Sequence, residues 1–144
     1  MHSTLFALFA FASTAFTASI PRAASELKPF EISGLNFTQS AGSDTAAVRF
    51  YVNDLNTNDL TICSDDDVLP NQLRFCNGIP QYVFGSDFKT LAVSWLWLPN
   101  GVQNHTAASV TTDIALNCVD DSSEQGKKQC HADTIRVVPT IVAP

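Results

Sequence analysis

The stretch Leu91-Ala-Val-Ser-Trp-Leu-Trp-Leu98 decides the fold class. Side chains alternate between the two faces of an extended strand, so Leu91, Val93 and both tryptophans, Trp95 and Trp97, fall on one face. The same period of two recurs in Val48-Arg-Phe-Tyr-Val52 and from Ala108 to Leu116. Helix signals are weak throughout. The sequence therefore predicts an all-β protein.

Further segments have the composition of strands, and turn residues separate them. These segments are Phe30–Thr38, Leu60–Cys63, Leu73–Cys76, Gln81–Phe84 and a last strand with Ile135, Val137 and Thr140. Pro139 places that last strand at an edge or a bulge. Asp120 to Gln129 is the best candidate for a helical turn, with a polar loop as the equal alternative. About eight strands at this spacing predict a compact antiparallel β-barrel or sandwich.

The N-terminus has the pattern of an export signal. An uncharged apolar run from Leu5 to Phe16 is followed by small residues, and it is too short to span a bilayer of roughly 30 Å. We predict a signal peptide over residues 1–19, with cleavage between Ala15 and Ala24, then an arm over 20–28 and a single domain over 29–144. No later stretch is long and apolar enough to predict a membrane span.

The four cysteines indicate a disulfide framework. They fall into two close pairs, Cys63 with Cys76 and Cys118 with Cys130, in a small chain that carries an export signal. Four cysteines allow three pairings, and the local one would close two short polar loops at strand ends. A zinc site is the rival interpretation, but neither pair has the C-x₂₋₄-C spacing. Together with the apolar N-terminus, the cysteines predict a secreted, extracellular protein.

The charge of the chain limits its partners. The formal net charge is −6, and the acids cluster at Asp65–Asp67 and around Asp120, Asp121 and Glu124. Such a surface repels phosphate backbones, so nucleic acid and anionic membranes are not expected as partners. Three consecutive aspartates do not have the spacing of a calcium loop. We therefore predict no metal and no cofactor.

Several of these features together resemble a known family. They are the strand Phe30-Glu-Ile-Ser-Gly-Leu-Asn-Phe37, the strand Val48-Arg-Phe-Tyr-Val-Asn-Asp54, a mid-chain cysteine pair and a second pair before the final strand. In cysteine spacing and strand order, roughly from Pro29 to Val142, the chain resembles the Alternaria major allergen-like family of small secreted fungal proteins.

The resemblance implies a β-barrel with the intrachain disulfides Cys63–Cys76 and Cys118–Cys130. Members of that family are allergens, and several act on plants as effectors or elicitors, with plant defence proteins and small aromatic flavonoids among their ligands. Some members use a further cysteine near the mature N-terminus to link a dimer. This chain has none there, so we expect a monomer or a non-covalent homodimer.

Candidate site residues are few. Asn36-Phe-Thr38 and Asn104-His-Thr106 are acceptor sequences for N-glycans in a secreted chain, which would make it a glycoprotein. Trp95 and Trp97 would stack on a sugar ring or a flavonoid if exposed, whereas Leu91 and Val93 beside them favour the core. The opposite face carries Leu96 and Leu98, so this strand is either buried on both sides or lies against a partner.

Catalytic chemistry is poorly represented. After export only His105 and His131 remain as histidines, and no nucleophile elbow or triad pattern accompanies the serines. We therefore predict a secreted, non-enzymatic protein that binds a host plant protein or a small ligand. The alternative is a carbohydrate-binding or cell-wall-associated module. A small hydrolase with two convergent acids is a third, weaker hypothesis.

Overall fold

The computed structural model describes residues 27–97, 106–121, 123 and 126–142. Within these ranges the chain forms eleven strands and no helix. The strands are β1 (Phe30–Ser40), β2 (Ala46–Asp54), β3 (Asp59–Val68), β4 (Arg74–Phe75), β5 (Gln81–Phe84), β6 (Thr90–Trp97), β7 (Thr106–Asp113), β8 (Asn117–Asp120), β9 (Lys127–Ala132), β10 (Ile135–Val137) and β11 (Thr140–Val142). The predicted signal peptide and most of the predicted arm lie outside the described residues.

The strands form two antiparallel sheets. Sheet A has the order β3-β2-β1-β9-β8, with β10 also paired to β1, and sheet B has the order β11-β7-β6-β5-β4. Residues 138–139 carry the chain from β10 in sheet A to β11 in sheet B. The two sheets do not join into one closed barrel, so the prediction of an antiparallel barrel or sandwich is confirmed as a two-sheet structure.

The first strand changes which of its faces points inward. Its register against β2 gains one residue between Ser33 and Asn36, which marks a β-bulge, and Gly34 there has a φ of +61°. Phe30 and Ile32 are buried before the bulge, and Leu35 and Phe37 after it. The extra residue therefore lets one strand supply core side chains along its whole length.

The core lies between the sheets and is rich in aromatic rings. Phe50 of β2 packs edge-on against Tyr82 of β5, with ring centroids 5.1 Å apart. Phe84 and Phe88 continue this contact to Phe37 of β1. The predicted inward residues Leu91, Val93 and Trp95 of β6 are buried, as are Val48, Phe50 and Val52 of β2. The period-two interpretation is thus confirmed for both strands.

Two local predictions missed strand residues. The described residues from Asp120 to Gln129 include strand residues at both ends, because β8 ends at Asp120 and β9 begins at Lys127. These polar strands form because β9 pairs along Leu35–Ser40 of β1, a tertiary partner that local composition does not report. β3 continues through Asp65–Asp67, beyond the predicted end at Cys63. Pro139 is buried between β10 and β11, and the predicted edge position of the last strand is confirmed, because β11 is an edge strand of sheet B.

Candidate functional site

Both disulfides of the local pairing are present. Cys63–Cys76 joins β3, at one edge of sheet A, to the segment after β4 at the edge of sheet B. The amide of Asn77 donates to the carbonyl of Ile62 at 2.8 Å, and the Thr61 hydroxyl donates to the carbonyl of Asn77 at 2.7 Å. This disulfide therefore fastens one side of the sandwich rather than closing an isolated loop.

The second disulfide lies within sheet A. Cys118 and Cys130 are directly opposite each other on β8 and β9, and Cys130 is buried while Cys118 is exposed. A cross-strand disulfide fixes the register of these two polar strands, which their side-chain pattern specifies weakly. The disulfide therefore holds β8 and β9 together where no alternating apolar pattern does so.

The two tryptophans lie against the core and not in an open groove. Trp95 is 6% exposed, and its ring centroid is 6.0 Å from that of Phe30. Trp97 is partly buried and contacts the same phenylalanine edge-on at 6.3 Å. A buried ring offers no open face to a sugar or a flavonoid, so we do not place a ligand-stacking site on this pair.

Trp97 contributes instead to a buried polar cluster around Asp54. This carboxylate has no exposed surface and accepts a hydrogen bond from Trp97 Nε1 at 2.5 Å. The amide and side chain of Asn56 also donate to it, at 2.8 and 2.9 Å, and the Thr57 hydroxyl donates at 3.1 Å. Asn56 further exchanges two hydrogen bonds with the backbone of Lys28. The cluster links sheet A, sheet B and the chain preceding β1, which is a structural role.

The predicted glycan acceptors differ in what the structure describes. Asn36 is exposed on β1, and its amide donates to the carbonyl of Gly34 at 3.1 Å. Its glycosylation stays a prediction. Asn104, with its sequon up to His105, lies outside the described residues.

The outward side of sheet B, which we call the B face, is almost uncharged. It consists of the outward positions of β4 to β7 and β11, together with Ile79 beside them. Cross-strand register aligns Leu96 with Ala107 and Val142 in one row, and Gln81 with Ser94 and Ser109 in the next. Asp113, at the far end of β7, is the one charged residue among the described outward positions of these strands.

Large apolar side chains gather at one end of the B face. Phe75 is 65% exposed, Ile79 50% and Leu96 37%. They surround a shallow depression of about 400 Å³, whose base is formed by the small residues Gly78, Ser94 and Ala107 with Gln81. An apolar surface with small residues at its centre and large ones at its margin suits the docking of a protruding apolar side chain.

An acidic strip borders this end of the molecule. Asp65, Asp66 and Asp67 lie on β3, next to the segment that carries Phe75. Arg74 forms a salt bridge of 3.4 Å with Asp65 and donates to the carbonyl of Asp67, which leaves Asp66 and Asp67 exposed. Within the described ranges, no three side chains among His, Cys, Asp and Glu come together as metal ligands.

Beneath the strip lies a buried phenol that the sequence did not single out. Tyr82 is 1% exposed, and no described group forms a hydrogen bond with its hydroxyl. Burial raises the pKa of Tyr82 to about 12, and the negative charge of Asp65 adds to this while Arg74 opposes it. A phenol of this kind is a poor proton donor or acceptor at neutral pH, so it supports packing rather than catalysis.

The described part of the chain contains no helix long and apolar enough to cross a membrane. His131, the histidine that the structure describes, lies exposed on β9 with Asn36 and Asn117 as its cross-strand neighbours. None of these neighbours is a nucleophile or an acid.

The fold is that of a small disulfide-bonded antiparallel protein of two sheets. Two solved structures with this fold are crystal structures of Alt a 1, the major allergen of Alternaria alternata. One is similar with a TM-score of 0.64 at 14% identity, covering 88% of this chain and 98% of that one. The other gives 0.60 at 14% identity, covering 81% and 95%. No protein-family model and no curated protein matches the chain. The resemblance inferred from the sequence is confirmed at the level of the fold.

Proposed function

We propose that this chain is a secreted, non-enzymatic protein that binds a host plant protein through the B face. The observation that carries the proposal is the cluster of Phe75, Ile79 and Leu96 around an uncharged depression on an otherwise acidic protein. Soluble proteins rarely leave a contiguous apolar surface open unless it contacts something. A protein that acts by surface recognition needs no catalytic group.

Charge indicates what kind of partner fits. The acidic strip on β3 adjoins the apolar cluster, and the whole chain carries a net charge of −6. The complementary surface is an apolar side chain, or a small group of them, flanked by Lys and Arg. Such an arrangement accelerates association through long-range attraction and tightens the complex through apolar burial.

Secretion and a plant host belong to the same proposal. Two disulfides in a small domain are typical of an oxidising compartment, and the apolar N-terminus supplies an export signal. The fold shared with an Alternaria allergen supports a role outside a fungal cell, as an effector or elicitor. The carbohydrate-binding alternative depended on open tryptophan rings, and the buried position of Trp95 does not favour it.

A pair of matched substitutions tests the proposal. Leu96→Lys adds a charge to the B face, and Leu60→Lys adds the same charge to an exposed leucine of β3 in sheet A. The wild-type protein and both variants are immobilised and exposed to leaf extracellular fluid. Retained proteins are identified by mass spectrometry, purified and titrated to obtain Kd values.

We expect a basic plant protein whose Kd rises about 30-fold or more with Leu96→Lys, the size of an interface hot spot, and stays within about threefold with Leu60→Lys. Its association rate should fall as salt rises, because the acidic strip contributes attraction at a distance. Equal loss with both variants, or loss with Leu60→Lys alone, would exclude the B face as the binding surface.

A further inference from the structure

A pocket opens between the two sheets at the end of β1 remote from Asp54. Its volume is about 300 Å³, and it is lined by Phe37, Gln39, Asp87, Phe88, Lys89, Ile114, Leu116, Cys118, Lys128 and Cys130. Register places Phe30 of β1 beside Asp54, whereas the pocket residues Phe37 and Gln39 lie near the other end of that strand. The pocket is therefore distinct from both the Asp54 cluster and the B face.

The inner wall of the pocket is apolar and aromatic. Phe37 and Phe88 pack edge-on with ring centroids 4.8 Å apart. Ile114, Leu116 and the Cys118–Cys130 disulfide complete this wall. Aromatic edges, aliphatic groups and sulfur together form a surface that favours the face of a small aromatic ring.

The mouth of the pocket carries two cations. Lys89 and Lys128 are both exposed, and neither has a carboxylate within salt-bridge distance in the part of the chain that the structure describes. Asp87 is also at the mouth, but its Oδ1 accepts a hydrogen bond of 3.0 Å from the backbone amide of Lys89. Asp87 keeps its negative charge, so the lining of the pocket carries two positive charges and one negative charge in a chain whose net charge is −6.

Gln39 links this pocket to a second depression of about 290 Å³, which it lines together with the turn residues Ser40–Ser43, Gly126, Lys128 and Asp120, the cross-strand partner of Lys128. The Gln39 amide donates to the carbonyl of Ser43 at 2.8 Å, which holds its side chain at the boundary. The opening thus changes from an apolar inner wall to a polar rim that carries both lysines together with the carboxylates of Asp87 and Asp120.

We propose that this pocket binds a small aromatic carboxylate, with the ring against Phe37 and Phe88 and the carboxylate between Lys89 and Lys128. An inorganic anion would leave the apolar wall uncovered, and a neutral aromatic compound would form no charge-assisted contact with either lysine. A volume near the lower limit for ligand pockets fits one ring with a short acidic side chain. Because the site is separate from the B face, the inference does not depend on the proposed function.

The test is a titration of the isotope-labelled, disulfide-bonded protein with trans-cinnamate, followed by NMR. Cinnamamide is the matched neutral ligand, since it keeps the ring and the shape but lacks the charge. Lys89→Gln with Lys128→Gln is the double variant of the mouth. Lys28→Gln is its control, because Lys28 is exposed at the opposite end of β1 and is fixed through its backbone.

We expect cinnamate to shift the signals of Phe88, Ile114 and Leu116 in a saturable way. The affinity for cinnamate should fall about tenfold in the double variant, because the loss of charge-assisted contacts at a partly open site lowers affinity by about that factor. It should remain within about twofold in Lys28→Gln. Cinnamamide should bind about tenfold more weakly than cinnamate. Equal affinity for the two ligands, an unchanged affinity in the double variant, or shifts confined to the B face would each overturn the proposal.

Discussion

The outward sides of the two sheets carry different kinds of side chain: charged groups with partners on sheet A, and small or apolar groups on sheet B. On sheet A, Arg136 pairs with Glu31 at 2.8 Å, and Arg49 donates to the Tyr51 hydroxyl at 3.1 Å. On sheet B, the B face presents mostly alanine, serine, threonine and open aliphatic groups. The inner sides of both sheets are mostly apolar. Packing of the core explains why the inner sides of both sheets are apolar, but it does not explain why the B face carries so few charged residues.

Asp54→Ala tests whether the two sheets are held together as one unit, and we expect it to have the largest effect on stability. Removal of the carboxylate leaves the donors of Trp97, Asn56 and Thr57 unpaired, and we expect a loss of about 3 kcal/mol in the free energy of unfolding. Urea denaturation followed by tryptophan fluorescence measures it. Asp59→Ala, at the exposed cross-strand partner of Asp54, should cost less than about 0.5 kcal/mol. Equal losses would remove the Asp54 cluster as the link between the sheets.

A second prediction concerns the inner side of sheet B at high pH. The pKa of Tyr82 is raised to about 12 chiefly by burial, so the phenol ionises in the unfolded chain at about pH 10 before it ionises in the folded one. Stability from this group is fully present below pH 10 and is lost as the pH rises through 12, by up to about 3 kcal/mol. Unfolding measured from pH 9 to 12 should show this loss in the wild type and a smaller one in Tyr82→Phe. Parallel curves for the two proteins would contradict it.

A smaller effect is expected on the outward side of sheet A. Arg136→Ala breaks the exposed ion pair with Glu31, which we expect to cost about 0.5 kcal/mol at low salt and almost nothing at 1 M salt. Thermal unfolding at the two salt concentrations measures the difference. A loss that persists unchanged at high salt would mean that packing of the arginine stem, not its charge, matters there.

The smallest change in stability is expected on the B face itself. Leu96→Lys replaces a side chain that is 37% exposed, and we expect the free energy of unfolding to stay within about 0.5 kcal/mol. Binding of an apolar fluorescent dye should decrease in the same variant and remain unchanged in Leu60→Lys. A large loss of stability would show that Leu96 is needed for folding and would weaken the case for a recognition surface.

The sequence predicted those parts of the fold that depend on period-two patterns. Residues Leu91 to Trp95 and Val48 to Val52 point where the alternation placed them, and the local cysteine pairing is present. The strands β8 and β9 escaped prediction because they are polar and are ordered by a disulfide and by pairing with β1. The pairing of β9 with β1 joins segments that lie far apart in the sequence.

Candidate sites were less accessible from sequence. The sequence predicted that Leu96 either is buried or lies against a partner, and its position on the B face agrees with the second alternative. The uncharged rows of the B face could not be predicted, because they depend on the register between the strands. Nothing in the sequence around Asp54 indicated a hydrogen bond to Trp97, 43 residues away. The two lysines of the pocket are far apart in the sequence and meet only because the sheets bring their strand ends together.

The bulge at Gly34 also has a consequence for how the gene can change. A single extra residue separates two inward-facing sets on β1, Phe30 with Ile32 and Leu35 with Phe37. Deletion of one codon there would exchange inside and outside for one half of the strand, whereas substitution at an exposed position alters one side chain. A Cβ at position 34 would lie 3.2 Å from the Tyr51 ring, in a backbone conformation that favours glycine. Strand β1, in the middle of sheet A, therefore tolerates amino-acid substitutions far better than insertions or deletions.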